Sequence, residues 1–296
     1  MKKTILILLS GAMVFMIAPG TRTVSAQTTE SSWQDEVPDW LKRTDYGFTV
    51  QTGIKPNFYL ETVQPLYQSD DKTHTVFTHD RLTFEDSRGK ISLGLGYRRL
   101  LWQEQLMAGV NSFFDYQELR RHHRQGVGLE LIGKVFEART NAYFAISPKR
   151  LVESGTSSTT YERAADGFDV EIGAPIPYVP WVKLFGSYYT YDYKQSSDVS
   201  GWKLRGEVKP FKAMTINLEA YDDNKGSLDT RLECRFRLAF SDFTFSDIMD
   251  NFKLSEDPFP GSDLTERTLD RVERNFEIQI ERYVESGGIT VQVGRR

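Results

Sequence analysis

The 296-residue chain has one cysteine, little net charge and no long apolar run beyond its first residues. Each scarcity excludes something. A lone Cys234 rules out an internal disulfide framework and a cysteine cluster for metal. A formal charge of -4 leaves no basic footprint for nucleic acid. No later segment approaches the roughly 20 apolar residues of a membrane-spanning helix. Helical periodicity is also nearly missing. What the chain does have is 22 glycines, 19 phenylalanines and 14 tyrosines, with a mean hydropathy of -0.46. That mixture suits many strands, each with one polar face.

The N-terminus fixes the compartment. Lys2 and Lys3 precede the apolar run "TILILLSGAMVFMIAPG", and "VSA" follows. These are the charged, apolar and small-residue regions of a secretory signal peptide, predicted over 1–26 with cleavage near Ala26. Pro19 and Gly20 end the run too early for a membrane anchor. Residues 27–44 read as a polar lead in the periplasm, with two tryptophans and no clear period.

Strand-like pieces separated by turn signals then follow. Nine are clear, from "ISLGLGYRRL" to "TRLECRFRLAF", and three weaker ones lie near 46–54, 58–68 and 74–85, which makes twelve. Side chains alternate across a strand, so each piece sorts into two faces. Ile91, Leu93, Leu95 and Tyr97 oppose Ser92, Gly94, Gly96 and Arg98. Trp202, Leu204 and Val208 oppose Lys203, Arg205, Glu207 and Lys209. Two all-β architectures accommodate this pattern. A soluble sandwich buries one face and wets the other. An antiparallel transmembrane barrel turns its apolar face to lipid and its charged face to the lumen.

Three observations favour a twelve-stranded barrel over 45–240. The chain is exported without a disulfide. Several pieces have the 9–11 residues that cross a bilayer when tilted. Late connections alternate, with long polar ones such as "PKRLVESGTSSTTYERAAD" and short proline-containing ones such as "PIPYVP". Long loops outside and short turns inside belong to outer-membrane barrels, whose assembly leaves no open sheet edge in hydrocarbon. Tyr97, Tyr178, Trp181, Tyr191 and Trp202 are candidates for interfacial girdles. In "RLECRFRLAF" Cys234 becomes a lipid-facing filler, and Phe240 closes the last strand at the periplasmic interface.

The run "LGLGYRRLLWQEQLMAGVNSFFDYQELRRHHRQGVGLELIGKVFEARTNAYFAIS" resembles the β-barrel translocator of the intimin/invasin family, the inverse autotransporters. The resemblance rests on Gly94 and Gly96, on Asn111, Phe113, Phe114 and Asp115, and on Gly126, Gly128 and Glu130. "ADGFDVEIGAPIPYVPWVKLFGSYY" is similar to the family's Gly-Phe-Asp strand and its proline-rich turn. The match covers roughly residues 74–240. It implies an outer-membrane anchor of a Gram-negative-type envelope that is non-enzymatic and related to cell adhesion. It also implies membrane lipid, periplasmic chaperones and barrel assembly machinery as partners, and leaves any extracellular contact partner open.

Residues 241–296 then acquire a place as a lumenal helix, a pore-crossing linker and a short tail. Asp263 and Glu266 have the spacing of a capping box for the helix. "RVERNFEIQIERY" looks like the family's linker, with Arg274, Asn275, Glu281 and Arg282 in the matching places. Phe276 stands where the family has a second asparagine. Nine extended residues, 275–283, span about 30 Å at roughly 3.3 Å each, enough to cross. The tail of thirteen residues after Tyr283 is far short of the roughly 100 of an immunoglobulin-like domain.

Two rivals concern the lumen. Arg205, Glu207, Arg231, Glu233, Arg235 and Arg237 line either an open porin-like channel or a wall whose arginines pair with the acidic residues of 264–283. The second arrangement makes a plug, since buried charges are tolerated when paired. An outer-membrane hydrolase is the remaining alternative. His122 and His123 sit in the charged turn "ELRRHHRQG", with no serine partner at a defined spacing, and read as solvated loop residues. His74 and His79 are five apart and point to opposite faces, which does not make a metal pair. The sequence therefore calls for no cofactor.

Overall fold

Alternation of apolar and polar side chains is carried through to a closed sheet. A computed structural model describes residues 37–86, 88–156, 158–211, 213–238, 252–286 and 289–292. The expected signal peptide and most of the polar lead lie outside the described residues, as do Phe240 and residues 241–251. A single 3-10 turn, Leu41–Arg43, leads into the first strand.

The strands are β1 (Thr44–Gln51), β2 (Ile54–Gln68), β3 (His74–Glu85), β4 (Arg88–Leu101), β5 (Leu106–Gln117), β6 (His122–Gly133) and β7 (Glu137–Ala145). A hairpin of β8 (Arg150–Ser154) and β9 (Thr159–Ala164) intervenes. The series resumes with β10 (Asp166–Ile176), β11 (Val179–Asp192), β12 (Val199–Phe211), β13 (Met214–Asp223) and β14 (Asp229–Arg237). Two short strands, β15 (Ile280–Ser286) and β16 (Ile289–Gln292), end the described chain. Twelve strands, β1–β7 and β10–β14, pair antiparallel with their neighbours and close by β1 against β14, from Asp45 opposite Arg237 to Gln51 opposite Arg231. Closure satisfies every backbone edge that hydrocarbon would otherwise leave unpaired.

The two ends of the barrel differ. One, the base, holds the start of β1, the end of β14 and connections of two to five residues. The other, the rim, holds the long connection between β7 and β10. That connection is not the plain polar loop expected from its composition. Its Thr, Tyr and Val content lets it fold as β8–β9, and the hairpin joins β15 and β16 in a four-stranded sheet.

The outward face is apolar: Leu93, Leu95, Leu129, Leu131, Ile172, Leu184, Leu204 and Leu218 are each about half exposed or more. Cys234 lies on this face between its register partners Phe48 and Ile216 and is buried. The inward face is charged and buried, including Glu61, Arg81, Arg98, Asp115, Arg124, Glu130, Glu171, Arg205 and Glu207. Tyr191 departs from its expected girdle position. It shares inward parity with Phe185 and Tyr189 on β11 and is only 3% exposed. Aromatic residues on both faces of β11 hide the period. Tyr97 and Trp202 do face outward; Tyr178 lies in the turn before β11, and Trp181, of inward parity, packs against Phe252.

Candidate functional site

Residues 252–286 run through the lumen from base to rim, and the wall holds them at successive levels. At the base the amide of Tyr178 donates to Pro258 (2.8 Å), the amide of Ser255 donates to Tyr178 (2.9 Å), and that of Ser262 donates to Lys134 (3.0 Å). Leu264, wholly buried, then packs with Leu100, Met107 and Ile132. The expected capping box does not start a regular helix. Asp263 accepts from the amide and hydroxyl of Thr265, both at 2.8 Å, and these bonds hold its carboxyl below the ordinary range. Two turns follow, with Arg267 donating to Leu264 (3.2 Å) and Asp270 to Arg267 (3.0 Å). Wall groups claim the next carbonyls, so the i to i−4 ladder of a helix is not built.

Arg98 makes that claim. Its Nε and Nη2 are fixed by Glu130 at 3.2 and 3.0 Å, while Nη1 donates to the carbonyls of Thr268 (3.1 Å) and Asp270 (2.5 Å). Glu130 thus orients the residue that grips the segment. Arginines of the segment meet wall carboxylates above and below this point. Arg267 pairs with Glu137 (2.8 Å). Arg271 lies between Glu61 (3.5 Å) and Glu233 (3.3 Å). Arg274 chelates Asp115 through Nη1 and Nη2 at 2.9 and 2.8 Å. Asp115 also accepts from Arg124 (2.8 Å), whose other nitrogens donate to the carbonyls of Asn275 and Glu277. Such buried charges are tolerable because each is paired and hydrogen-bonded.

The motif glycines make this approach possible. A methyl group at Gly126 would stand 2.5 Å from Nη2 of Arg274, and one at Gly94 only 2.3 Å from the ring of Phe113. Asn111, buried beside Gly128, lines the same wall. The side chain of Asn275 donates to the Tyr191 hydroxyl (2.6 Å), and its backbone amide donates to the Tyr143 hydroxyl (2.8 Å). Phe276, in the place of the second asparagine, packs edge-on to His79 and Phe113 and lies under the guanidinium of Arg81 (4.6 Å). His79 accepts the amide hydrogen of Val272 at Nδ1 (3.2 Å), so its neutral ring carries the proton at Nε2, toward Glu61.

At the rim the segment becomes β15 and pairs with β9, Ile280 opposite Ala164 through Glu285 opposite Thr159. Tyr283 is therefore already in the rim sheet, and the crossing itself lies closer to 262–280 than to 275–283. Glu281 is buried in the β11–β12 connection, accepting from the amides of Lys194 (2.9 Å) and Gln195 (2.8 Å) and the hydroxyl of Ser196 (3.2 Å). Arg282 faces Glu162 at 3.9 Å.

The remaining predicted wall residues pair with one another. Arg205 binds Glu171 (2.6 Å), Glu207 (3.4 Å) and Asn217 (3.2 Å). Arg231 binds Gln51 (2.7 Å) and faces Glu219 (3.5 Å). Arg235 and Arg237, expected against the acidic tail, turn to Asp45 at 3.6 and 3.1 Å across the closing seam. The polarity of the grip is thus reversed: the arginines belong mainly to the segment and the carboxylates to the wall. Lys90 with Glu277 in the lumen and Lys149 with Glu285 at the rim are exceptions. A cavity of about 730 Å³ remains beside the segment, lined by Lys55, Lys203, Arg231 and Glu219 and reaching down to Glu233 and Arg271. His122 is also not a solvated loop residue. It is wholly buried at the start of β6, with Nδ1 3.1 Å from the Ser147 hydroxyl, because the β8–β9 hairpin folds back over it. Alternation puts Arg98 on the inward face but does not reveal that it, Arg124 and Arg271 hold the segment. The recurrence of arginine at 267, 271 and 274 was the available signal.

The family model for the inverse autotransporter β-domain matches residues 20–276. The chain belongs to this family. It is similar to the inverse autotransporter adhesin YeeJ of Escherichia coli (strain K12), with 28% identity over 67% of this chain and 9% of that protein. It is 28% identical to a putative attaching and effacing protein homolog of the same strain, over 56% of each chain. Invasin of Yersinia enterocolitica matches at 24% over 55% of this chain and 19% of its own length. The chain therefore spans from a tenth to just over half of these relatives. A solved structure described as "Unveiling the Mechanism Behind the in-meso Crystallization of Membrane Proteins" superimposes with a TM-score of 0.65. At 21% identity over 81% of this chain and 99% of that one, the likeness is one of fold. As an inverse autotransporter β-domain, the protein is a non-enzymatic barrel of the Gram-negative outer membrane, of the kind inserted by barrel assembly machinery.

Proposed function

We propose that this barrel anchors and exports the polypeptide that threads it, with the rim outside the cell and the base in the periplasm. One observation carries the reading. The segment enters beside Lys134 and Tyr178 at the base and leaves as a strand of the rim sheet. The signal peptide over 1–26 delivers the chain to the periplasm, and chaperones there keep it competent for insertion. Once threaded, the segment acts as a plug held by arginine–carboxylate pairs at three levels. What it presents outside serves cell contact, as the names of YeeJ and invasin suggest for those proteins.

An epitope placed after Arg296 tests the topology. Antibody should reach it on intact cells. Labelling only after the outer membrane is permeabilised would contradict the reading. A porin-like role has one observation in its favour, the cavity of about 730 Å³ open beside the segment. Its lining includes no base residue from 98–110 or 130–137, so it forms a vestibule closed by Arg271 and the residues below.

A further inference from the structure

The rim above β5 and β6 carries cationic side chains that take no part in gripping the segment. Arg120 and Arg121 lie in the β5–β6 connection, both exposed. Several other rim cations have carboxylate partners: Lys55 pairs with Asp86, Lys149 with Glu285 and Lys194 with Asp192. Among the described residues no carboxylate lies within ion-pairing distance of Arg120 or Arg121. The connection's own acid, Glu118, is turned to the amide of Gly89 (3.1 Å). A third guanidinium joins them, since Nη2 of Arg150 donates to the carbonyl of Arg121 (3.2 Å). Arg120 and Arg121 also have φ of 61° and 52°, the left-handed region that favours glycine or asparagine. The sequence thus retains two cations where the backbone would be better served by smaller residues.

Their level on the barrel is informative. Just below, on the outward face, the rings of Tyr116 and His123 meet at 5.1 Å, with Phe114 6.0 Å from His123. Exposed Phe144 and Ile146 flank them, and Val127, Leu129 and Leu131 continue the apolar band toward the base. An aromatic level between apolar band and water marks the membrane interface. Guanidinium groups immediately above it stand at headgroup depth, where planar paired donors suit phosphate oxygens.

We propose that Arg120, Arg121 and Arg150 bind the phosphoryl groups of a phosphorylated glycolipid in the outward leaflet. The inference rests on the rim-outside orientation proposed above. The test uses the full chain purified in detergent, with bisphosphorylated lipid A, its dephosphorylated form and inorganic phosphate as probes, read by native mass spectrometry. The wild type should prefer the bisphosphorylated lipid by about tenfold or more, and the double variant R120G/R121N should lose most of that preference. Glycine and asparagine suit the left-handed backbone, so the variant should unfold at no lower temperature than the wild type. R150Q, outside the strained turn, should weaken the preference in part. Equal binding of both lipids, or an unchanged preference in R120G/R121N, would overturn the proposal. Displacement of the lipid by millimolar inorganic phosphate would also overturn it, making this a free-phosphate site. Binding in detergent does not depend on orientation. Surface labelling of an epitope in the 224–228 connection tests orientation separately, so the two failures are distinguishable.

Discussion

The two sides of the lumen use the same residue types for different ends. The wall of β2–β7, with Glu233 from β14, spends its charges on the threaded segment: Glu61, Asp115, Glu130 and Glu137 either hold its arginines or orient Arg98 toward its carbonyls. The wall of β10–β14 spends most of its charges on itself, as in Arg205 with Glu171 and Arg231 with Glu219, and faces the cavity. Burial and shape make the difference. Where the wall touches the segment, a lost partner leaves an uncompensated charge out of water. Where it faces the cavity, water can replace the partner.

Breaking one contact on each side gives the sharpest contrast. Asp115→Ala would orphan both Arg124 and Arg274 and should cost about 3–5 kcal/mol in denaturant unfolding in detergent. Arg231→Gln, on the partly exposed side, should cost no more than about 1 kcal/mol. Equal losses would remove the distinction between the two walls.

The rim provides the next test. Glu281→Gln removes the charge that three donors of the β11–β12 connection share, and should cost about 1.5–3 kcal/mol locally. Hydrogen exchange should show faster exchange at the amides of Lys194 and Gln195, with the base unaffected. Acceleration at the Ser262 amide instead would mean that rim and base are held as one unit.

Phe276→Asn, which restores the family's residue, is expected to have a smaller effect than Asp115→Ala or Glu281→Gln. It exchanges the ring contacts with Arg81, His79 and Phe113 for an amide and should cost about 1–2 kcal/mol. A gain in stability would show that the ring is tolerated there rather than used.

The barrel was legible because its signal is repeated. Twelve alternations, such as Leu93 and Leu95 against Gly94 and Gly96, survive an uncertain boundary or two. Lumenal pairing was less legible. Alternation says that Arg235 and Arg237 share the inward face, but not that β1 brings Asp45 beside them. That neighbour lies 190 residues away and is brought in only by closure. The rim sheet was hidden for a similar reason. Beyond its hairpin partner β8, β9 gains its second strand neighbour only when β15 emerges from the pore, so composition alone reads as a loop. The helix expected after Asp263 fails because Arg98 takes the Thr268 and Asp270 carbonyls, a competitor no local pattern reveals.

One property is central: the segment fills the pore and is held there by the β2–β7 wall and Glu233. Planar-bilayer conductance of the whole chain and of a variant lacking residues 241–296 addresses it directly. The intact protein should pass little current, limited by the closed floor of the vestibule, and the shortened one should open a channel of much larger and steady conductance. The same conductance in both would contradict the claim.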